Sequence, residues 1–116
     1  IKIFILNNEY MGMVRQWQEL LHDKNYSESY TAALPDFVKL AEAYGCLGLR
    51  AKTPSELDDK IIEMINIDKP VIFDCLVDKQ ENCFPMIPSG KPHNQMLLGP
   101  QDQKNKKITG KGKTLV

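Results

Sequence analysis

The residues best suited to chemistry form one short turn, Asn7-Asn8-Glu9-Tyr10-Met11-Gly12, between an apolar run and a segment of helical periodicity. In open α/β sheets, ligands bind beyond the carboxyl ends of the strands, at turns of this kind. An Asn amide oxygen is a neutral, hard ligand suited to Mg²⁺, and a backbone carbonyl two residues later can take a second position. Gly12 lets the backbone approach a phosphate closely, and the first amides of the next helix favour an anion. The spacing fits half of a metal–diphosphate site, and it also fits a plain polar turn.

The segments around this turn alternate between strand and helix. An unbroken apolar, β-branched run predicts a first strand buried on both faces, as in a parallel sheet. Apolar residues at helical spacing predict the helices, and Gly45 is placed to end the second one. The predicted order is strand (1–6), helix (about 11–22), helix (about 36–44), strand (47–51), a third helix, and strand (71–77). This alternation is typical of an α/β fold with an open parallel sheet and flanking helices.

The third helix has the clearest start signal. Thr53-Pro54-Ser55-Glu56 has the form of a capping box, with Pro54 at the first helical position. The residues predicted to be buried by this helix are Leu57, Ile61, Met64 and Ile65.

The alternation stops after Asp78, which predicts three parts of the chain. Residues 1–78 form the folded domain, and residues 79–100, which contain four prolines, form an extended C-terminal arm. Residues 101–116, rich in lysine and glycine, are predicted to be disordered. The apolar strand at the very first residue looks cut from an upstream partner, so we expect the chain to be a piece of a longer protein.

Composition excludes several classes of partner. The 15 basic residues balance the 15 acidic ones, which gives no overall attraction to nucleic acid or membrane. No apolar run approaches the roughly 20 residues that span a bilayer. The lysines of the last segment, without aromatic neighbours, are more typical of a solvated tail than of a nucleic-acid site. Three cysteines without metal-ligand spacing favour a reducing interior, cytoplasmic or organellar.

Three blocks of sequence resemble one enzyme family. Asn7-Asn8-Glu9-Tyr10-Met11-Gly12-Met13-Val14-Arg15-Gln16-Trp17-Gln18 resembles the second half of the thiamine-diphosphate motif of acetolactate synthase (acetohydroxyacid synthase) catalytic subunits. The resemblance continues through Leu34-Pro35-Asp36-Phe37-Val38-Lys39-Leu40-Ala41-Glu42-Ala43-Tyr44-Gly45 and returns in Cys83-Phe84-Pro85-Met86-Ile87-Pro88-Ser89-Gly90. The Asn pair alone is weak evidence, whereas three blocks in order are specific.

The resemblance implies roles for individual residues. It assigns the Mg²⁺ ligands to the Asn8 side chain and the Tyr10 backbone carbonyl. Met11, Gly12 and Met13 would lie along the cofactor, with Gly12 near the diphosphate. The positions that would line the substrate channel are Val14, Trp17 and Ser89. Core packing on an apolar helix face would also explain Val14 and Trp17.

The resemblance also implies a reaction for the complete enzyme. It is a transferase that condenses pyruvate with a second 2-oxoacid, pyruvate or 2-oxobutyrate, with loss of CO₂, in the biosynthesis of valine and isoleucine. Its cofactors are thiamine diphosphate, Mg²⁺ and FAD, and its subunits form dimers or tetramers with a regulatory small subunit. The upstream Gly-Asp-Gly block, the Glu that activates the cofactor and the FAD site are expected outside residues 1–116. We therefore expect no catalytic acid or base in this chain, and no activity from it alone.

Two other functions stay open at this point. Another thiamine-dependent enzyme, of the pyruvate oxidase or glyoxylate carboligase type, is less consistent with the 13–18 and 85–90 segments. A non-catalytic α/β binding module is less consistent with a strand at the first residue.

Overall fold

The computed structural model describes residues 1–31 and 33–105. Strands β1 (Lys2–Asn7), β2 (Leu47–Ala51) and β3 (Val71–Leu76) form a parallel sheet in the order β1-β3-β2. Helices α2 (Phe37–Ala43) and α3 (Leu57–Asn66) flank this sheet. The predicted open parallel α/β fold is therefore confirmed.

The described chain forms two compact units. Of the described residues, the first unit comprises 1–10, 31 and 33–80 and contains the sheet with α2 and α3. The second comprises 11–30 and 81–105 and contains α1 (Gly12–Leu21) with the arm. The predicted division into a domain at residues 1–78, an arm at 79–100 and a tail at 101–116 stays a prediction. The grouping of α1 with the arm rather than with the sheet was not predicted.

The core of the first unit lies around the central strand. Phe73 of β3 is fully buried, and the other buried members of the cluster are Leu49, Ala51, Met64, Val71 and Cys75. Leu57 and Ile61 of α3 pack against this cluster, as predicted, but Ile65 is 67% exposed. The prediction for Ile65 was wrong because Ile65 follows Met64 by one position, about 100° around a helix of 3.6 residues per turn.

Strand β1 lies at an edge of the described sheet. It pairs with β3 alone, and Ile3, Phe4 and Leu6 stay exposed. Within the described residues β1 is therefore not buried on both faces as predicted, whereas β3 has a strand on each side. An apolar run predicts a strand, but its position in the sheet decides how much of it is buried.

Local signals set the ends of the two helices on the sheet. Asp36 caps α2 by accepting hydrogen bonds from the backbone N–H groups of Val38 and Lys39. The Glu56 carboxylate accepts a hydrogen bond of 3.0 Å from the backbone N–H of Thr53, which closes the predicted capping box before α3.

The arm of the second unit folds back on itself. Met86 and Leu97 exchange backbone hydrogen bonds of 2.9 and 2.7 Å in an antiparallel bridge. Pro100–Asn105 forms a 3-10 helix, in which the Asp102 carboxylate accepts a hydrogen bond from the backbone N–H of Leu98. The predicted disorder of residues 101–116 stays a prediction, and its part at 106–116 lies outside the described residues.

Candidate functional site

The turn after β1 is built by its own two asparagines. The Asn7 side-chain oxygen accepts a hydrogen bond of 3.1 Å from the backbone N–H of Glu9. The Asn8 side-chain oxygen accepts one of 3.2 Å from the backbone N–H of Tyr10. Each side chain thus closes a turn with the backbone two residues later, a local pattern that Asn favours.

Glu9, between the two predicted metal ligands, is fixed in an uncommon backbone conformation. Its φ is 59°, in the left-handed region. Its carbonyl accepts hydrogen bonds of 2.9 Å from the Thr31 backbone N–H and 2.6 Å from the Thr31 hydroxyl. Its carboxylate forms an ion pair of 2.6 Å with Lys79. The turn is therefore held through both the carbonyl and the carboxylate of Glu9.

The buried carboxylate of Asp74 is hydrogen-bonded to this turn. Asp74 of β3 accepts a hydrogen bond of 2.9 Å from the Asn7 side-chain nitrogen and one of 2.8 Å from Arg50 Nε. Arg50 also forms an ion pair of 2.8 Å with Asp36. The bond to Asp74 raises the pKa of Arg50 against the opposing effect of burial, and the bond to Asp36 adds to it, so the guanidinium stays charged.

The oxygen atoms of the turn are suitable ligands for a divalent cation. An amide oxygen has two lone pairs, and the hydrogen bond from the Tyr10 N–H accounts for one lone pair of Asn8 Oδ1. Asn8 is half-buried, and this hydrogen bond restrains the position of its side-chain oxygen. Neutral oxygens of this kind suit Mg²⁺, which usually completes its octahedron with carboxylate, water and phosphate oxygens. The roles of Asn8 and Tyr10 as ligands stay predictions.

The residues predicted to follow the cofactor open α1 in the second unit. Gly12 is the first residue of the helix, and no side chain caps its N-terminus. Met11 and Met13 are each 52% exposed. An uncapped helix N-terminus favours an anion, so the amides here suit a diphosphate. The assignment of Met11, Gly12 and Met13 to the cofactor stays a prediction.

The predicted channel residues of α1 are exposed. Val14 and Trp17 are each 42% exposed. With Met13, Leu21 and four polar residues they line an open groove of about 710 Å³ in the second unit. Core packing therefore does not explain Val14 and Trp17 within the described residues. Ser89 is exposed on a turn of the same unit and is not among the residues that line this groove.

Residues 1–75 match the family model "Thiamine pyrophosphate enzyme, C-terminal TPP binding domain". The chain belongs to this family. It is 49% identical over 98 residues to the acetolactate synthase large subunit of Cyanidium caldarium. These residues make up 84% of this chain and 17% of that protein. It is 42% identical over 107 residues to the acetolactate synthase large subunit of Haemophilus influenzae, with 90% and 19% covered. It is 47% identical over 97 residues to the mitochondrial acetolactate synthase catalytic subunit of Saccharomyces cerevisiae, with 84% and 14% covered. The chain thus spans less than a fifth of the length of these curated relatives.

The match to a thiamine-pyrophosphate-binding domain agrees with the sequence resemblance, and the roles of the individual residues stay predictions. Asp74, which accepts a hydrogen bond from Asn7, and Arg50, which donates to Asp74, were not predicted from the sequence. A signal was present, because an acid inside the apolar strand 71–77 is unusual. The buried Arg15 and Gln16 on α1 carried no comparable signal, since polar residues are ordinary on a helix surface.

The remaining described features are a buried thiol and the lengths of the helices. Cys75 is buried, and burial raises the pKa of its thiol, with the Asp74 charge adding to the effect. A buried thiol of this kind is inert, which fits its place in the core cluster of the first unit. None of the helices in residues 1–31 and 33–105 has the length and apolar character of a membrane span.

Proposed function

We propose that this chain is part of the diphosphate-binding domain of an acetolactate synthase large (catalytic) subunit. The observation that carries the proposal is the turn at the carboxyl end of β1, where the oxygen of Asn8 is held by the Tyr10 N–H. Similarity to acetolactate synthase subunits of three lineages supports the choice of enzyme.

In the complete enzyme, Asn8 and the Tyr10 carbonyl would each supply one oxygen to Mg²⁺. The amides at the start of α1 would face the diphosphate, and Met13 would lie nearer to the rings of the cofactor. Thiamine diphosphate, when bound, supplies the chemistry that decarboxylates a 2-oxoacid and transfers the remaining group. The chain's own part is to bind and orient the diphosphate end of that cofactor.

The finer features of the enzyme follow from the same proposal. It would be a transferase that uses pyruvate, with pyruvate or 2-oxobutyrate as acceptor, in branched-chain amino-acid biosynthesis. Val14, Trp17 and Ser89 would line its substrate channel. FAD would bind outside residues 1–116, and the subunit would work in the cytoplasm or an organelle as a dimer or tetramer with a regulatory subunit.

Activity of the full-length protein tests the proposal. With pyruvate, thiamine diphosphate and Mg²⁺, we expect acetolactate to form. Asn8→Ala removes one metal ligand, so the Mg²⁺ concentration for half-maximal activation should rise on the order of tenfold, the equivalent of about 1.4 kcal/mol. Asn66→Ala, an exposed residue at the end of α3, is the matched control and should behave like the wild type.

The outcomes separate the possible errors. A protein that makes acetolactate but shows the wild-type Mg²⁺ curve after Asn8→Ala would exclude Asn8 as a ligand. A protein that consumes pyruvate without forming acetolactate would point to another thiamine-dependent enzyme.

Residues 1–116 alone are proposed to be inactive, since they carry only one side of the cofactor site. Calorimetric titration of this fragment with thiamine diphosphate and Mg²⁺ should give no micromolar binding. Tight binding by the fragment would contradict the division of the site.

A further inference from the structure

A buried charge in the centre of the sheet needs an explanation. Asp74 is 1% exposed, and its neighbours in the register are Ile5 of β1 and Arg50 of β2. Removing a carboxylate from water is costly unless hydrogen bonds and an opposite charge compensate it. An apolar residue would serve the core at least as well, so packing alone does not account for an acid at this position.

The two oxygens of Asp74 have different partners. Oδ2 accepts the hydrogen bond from Arg50 Nε, and Oδ1 accepts the hydrogen bond from Asn7 Nδ2. An ionised carboxylate only accepts, so it can face only the nitrogen of the Asn7 amide and never the oxygen. Asp74 thereby fixes the direction of the Asn7 side chain.

The direction of the Asn7 amide controls the turn. With its nitrogen on Asp74, its oxygen faces the backbone N–H of Glu9 at 3.1 Å. Glu9 has φ 59°, a conformation that costs a non-glycine residue about 1–2 kcal/mol. The hydrogen bond from Glu9 to Asn7 offsets part of this cost. A reversed amide would place its NH₂ group against the Glu9 N–H, and the turn would lose this support.

We propose that Asp74, anchored by Arg50, is a positioning residue for the metal-binding turn. It acts through Asn7 to hold the Asn8–Tyr10 backbone in the form that presents the Asn8 oxygen to the cation. This inference rests on the proposed function, because it needs Asn8 to bind Mg²⁺. Asp74 itself does not touch the metal; outer partners of this type typically affect metal affinity by about 10–100-fold.

Asp74→Asn in the full-length enzyme is the first test. Arg50 and Asn7 donate to separate oxygens of Asp74, and an amide has an NH₂ group in place of one of them, so it cannot accept at both positions. In calorimetric titrations with thiamine diphosphate, the Mg²⁺ concentration required for half-maximal cofactor binding should rise about tenfold. The kcat at saturating Mg²⁺ and cofactor should stay within about twofold of the wild type, because the ligands themselves are intact.

A reciprocal exchange is the sharper test. In the double variant Asn7→Asp with Asp74→Asn, the carboxylate at position 7 accepts from the Glu9 N–H and from the new amide nitrogen. The oxygen of that amide then accepts from Arg50. All three hydrogen bonds of the wild type are restored with the net charge unchanged, so cofactor binding should return to within about threefold of the wild type.

Asp36→Asn is the matched control. It makes the same acid-to-amide change on the other partner of Arg50, and Asn caps a helix as well as Asp does. Because Asp36 forms no hydrogen bond with Asn7, its variant should require the wild-type Mg²⁺ concentration.

Each result decides the inference. Wild-type binding by Asp74→Asn, an exchange variant no better than Asp74→Asn, or equal weakening by Asp36→Asn would overturn it. If Asp74→Asn does not fold, a folded exchange variant with restored binding still supports the inference, and an unfolded one assigns Asp74 to the fold alone. A wild-type enzyme that binds no thiamine diphosphate with Mg²⁺ would instead refute the proposed function, and this inference with it.

Discussion

Replacing Gln16 of α1 by Leu should release the arm of the second unit. Gln16 is 1% exposed. Its amide pairs with the backbone of Cys83, donating from Nε2 to the carbonyl at 3.0 Å and accepting at Oε1 from the N–H at 2.7 Å. Nε2 also donates to the sulfur of Met86. Leu has a similar volume, so the substitution removes these bonds with little change in packing.

The expected magnitude follows from the bonds lost. Each of the two bonds to the Cys83 backbone contributes about 1 kcal/mol, and the bond to the Met86 sulfur adds less because a thioether is a weak acceptor. The free energy of local opening should therefore fall by about 2 kcal/mol, which corresponds to roughly 30-fold faster exchange of the Cys83 amide hydrogen.

Hydrogen–deuterium exchange of the full-length protein, followed on peptides that contain residues 81–86, measures this change. Gln18→Leu is the matched control, because Gln18 is a glutamine of the same helix whose Nε2 donates to the Ser27 carbonyl and not to the arm. The control should leave exchange at 81–86 unaltered. Exchange in Gln16→Leu within twofold of the wild type would refute the view that Gln16 holds the arm.

Two further predictions concern the first unit. The backbone N–H groups of Lys52 and Thr53 hold the pKa of Glu56 below its ordinary 4.5, so its stabilising effect is present above pH 4.5 and is lost as the pH falls through the lower folded value. Thermal unfolding midpoints of the wild type and Glu56→Gln should therefore differ at neutral pH and converge in acid; a constant difference would contradict this. A Cβ at Gly48 would lie 2.7 Å from the Val38 carbonyl oxygen, so Gly48→Ala should destabilise the protein by about 1–3 kcal/mol in chemical denaturation. A denaturation midpoint equal to that of the wild type would show that α2 can shift away from β2.

Much of the fold could be predicted because its signals are local. The strand at Leu47–Ala51 was predicted with its observed bounds, and Glu56 caps the start of the third helix as its spacing indicated. The first two helices begin and end within two residues of their predicted limits, since periodicity and turn-forming residues act over a few positions.

The site could be predicted only in part. Asn7 and Asn8 were predicted to form a turn because they follow an apolar strand, and in the structure both side chains are part of that turn. The contact between Asn7 and Asp74 joins residues 67 positions apart, and neither residue type indicates it alone. Only the parallel pairing of β1 with β3 brings the two together. Likewise, the exposure of Leu6 depends on the place of β1 in the sheet and not on its composition.

The apolar periodicity predicted helix α1 but did not predict all of the residues that this helix buries. Its apolar spacing predicted the helix, yet Trp17 is 42% exposed while Arg15 and Gln16 are buried. The cause is the chemistry of the arm, whose irregular backbone has few ladder partners and must find acceptors and donors elsewhere. Arg15 donates to the Glu81 carbonyl, and Gln16 pairs with the Cys83 backbone. Helix α1 therefore buries an amide and a guanidinium group against this irregular chain, while Leu21 of its apolar stripe is buried and Val14 and Trp17 stay partly exposed.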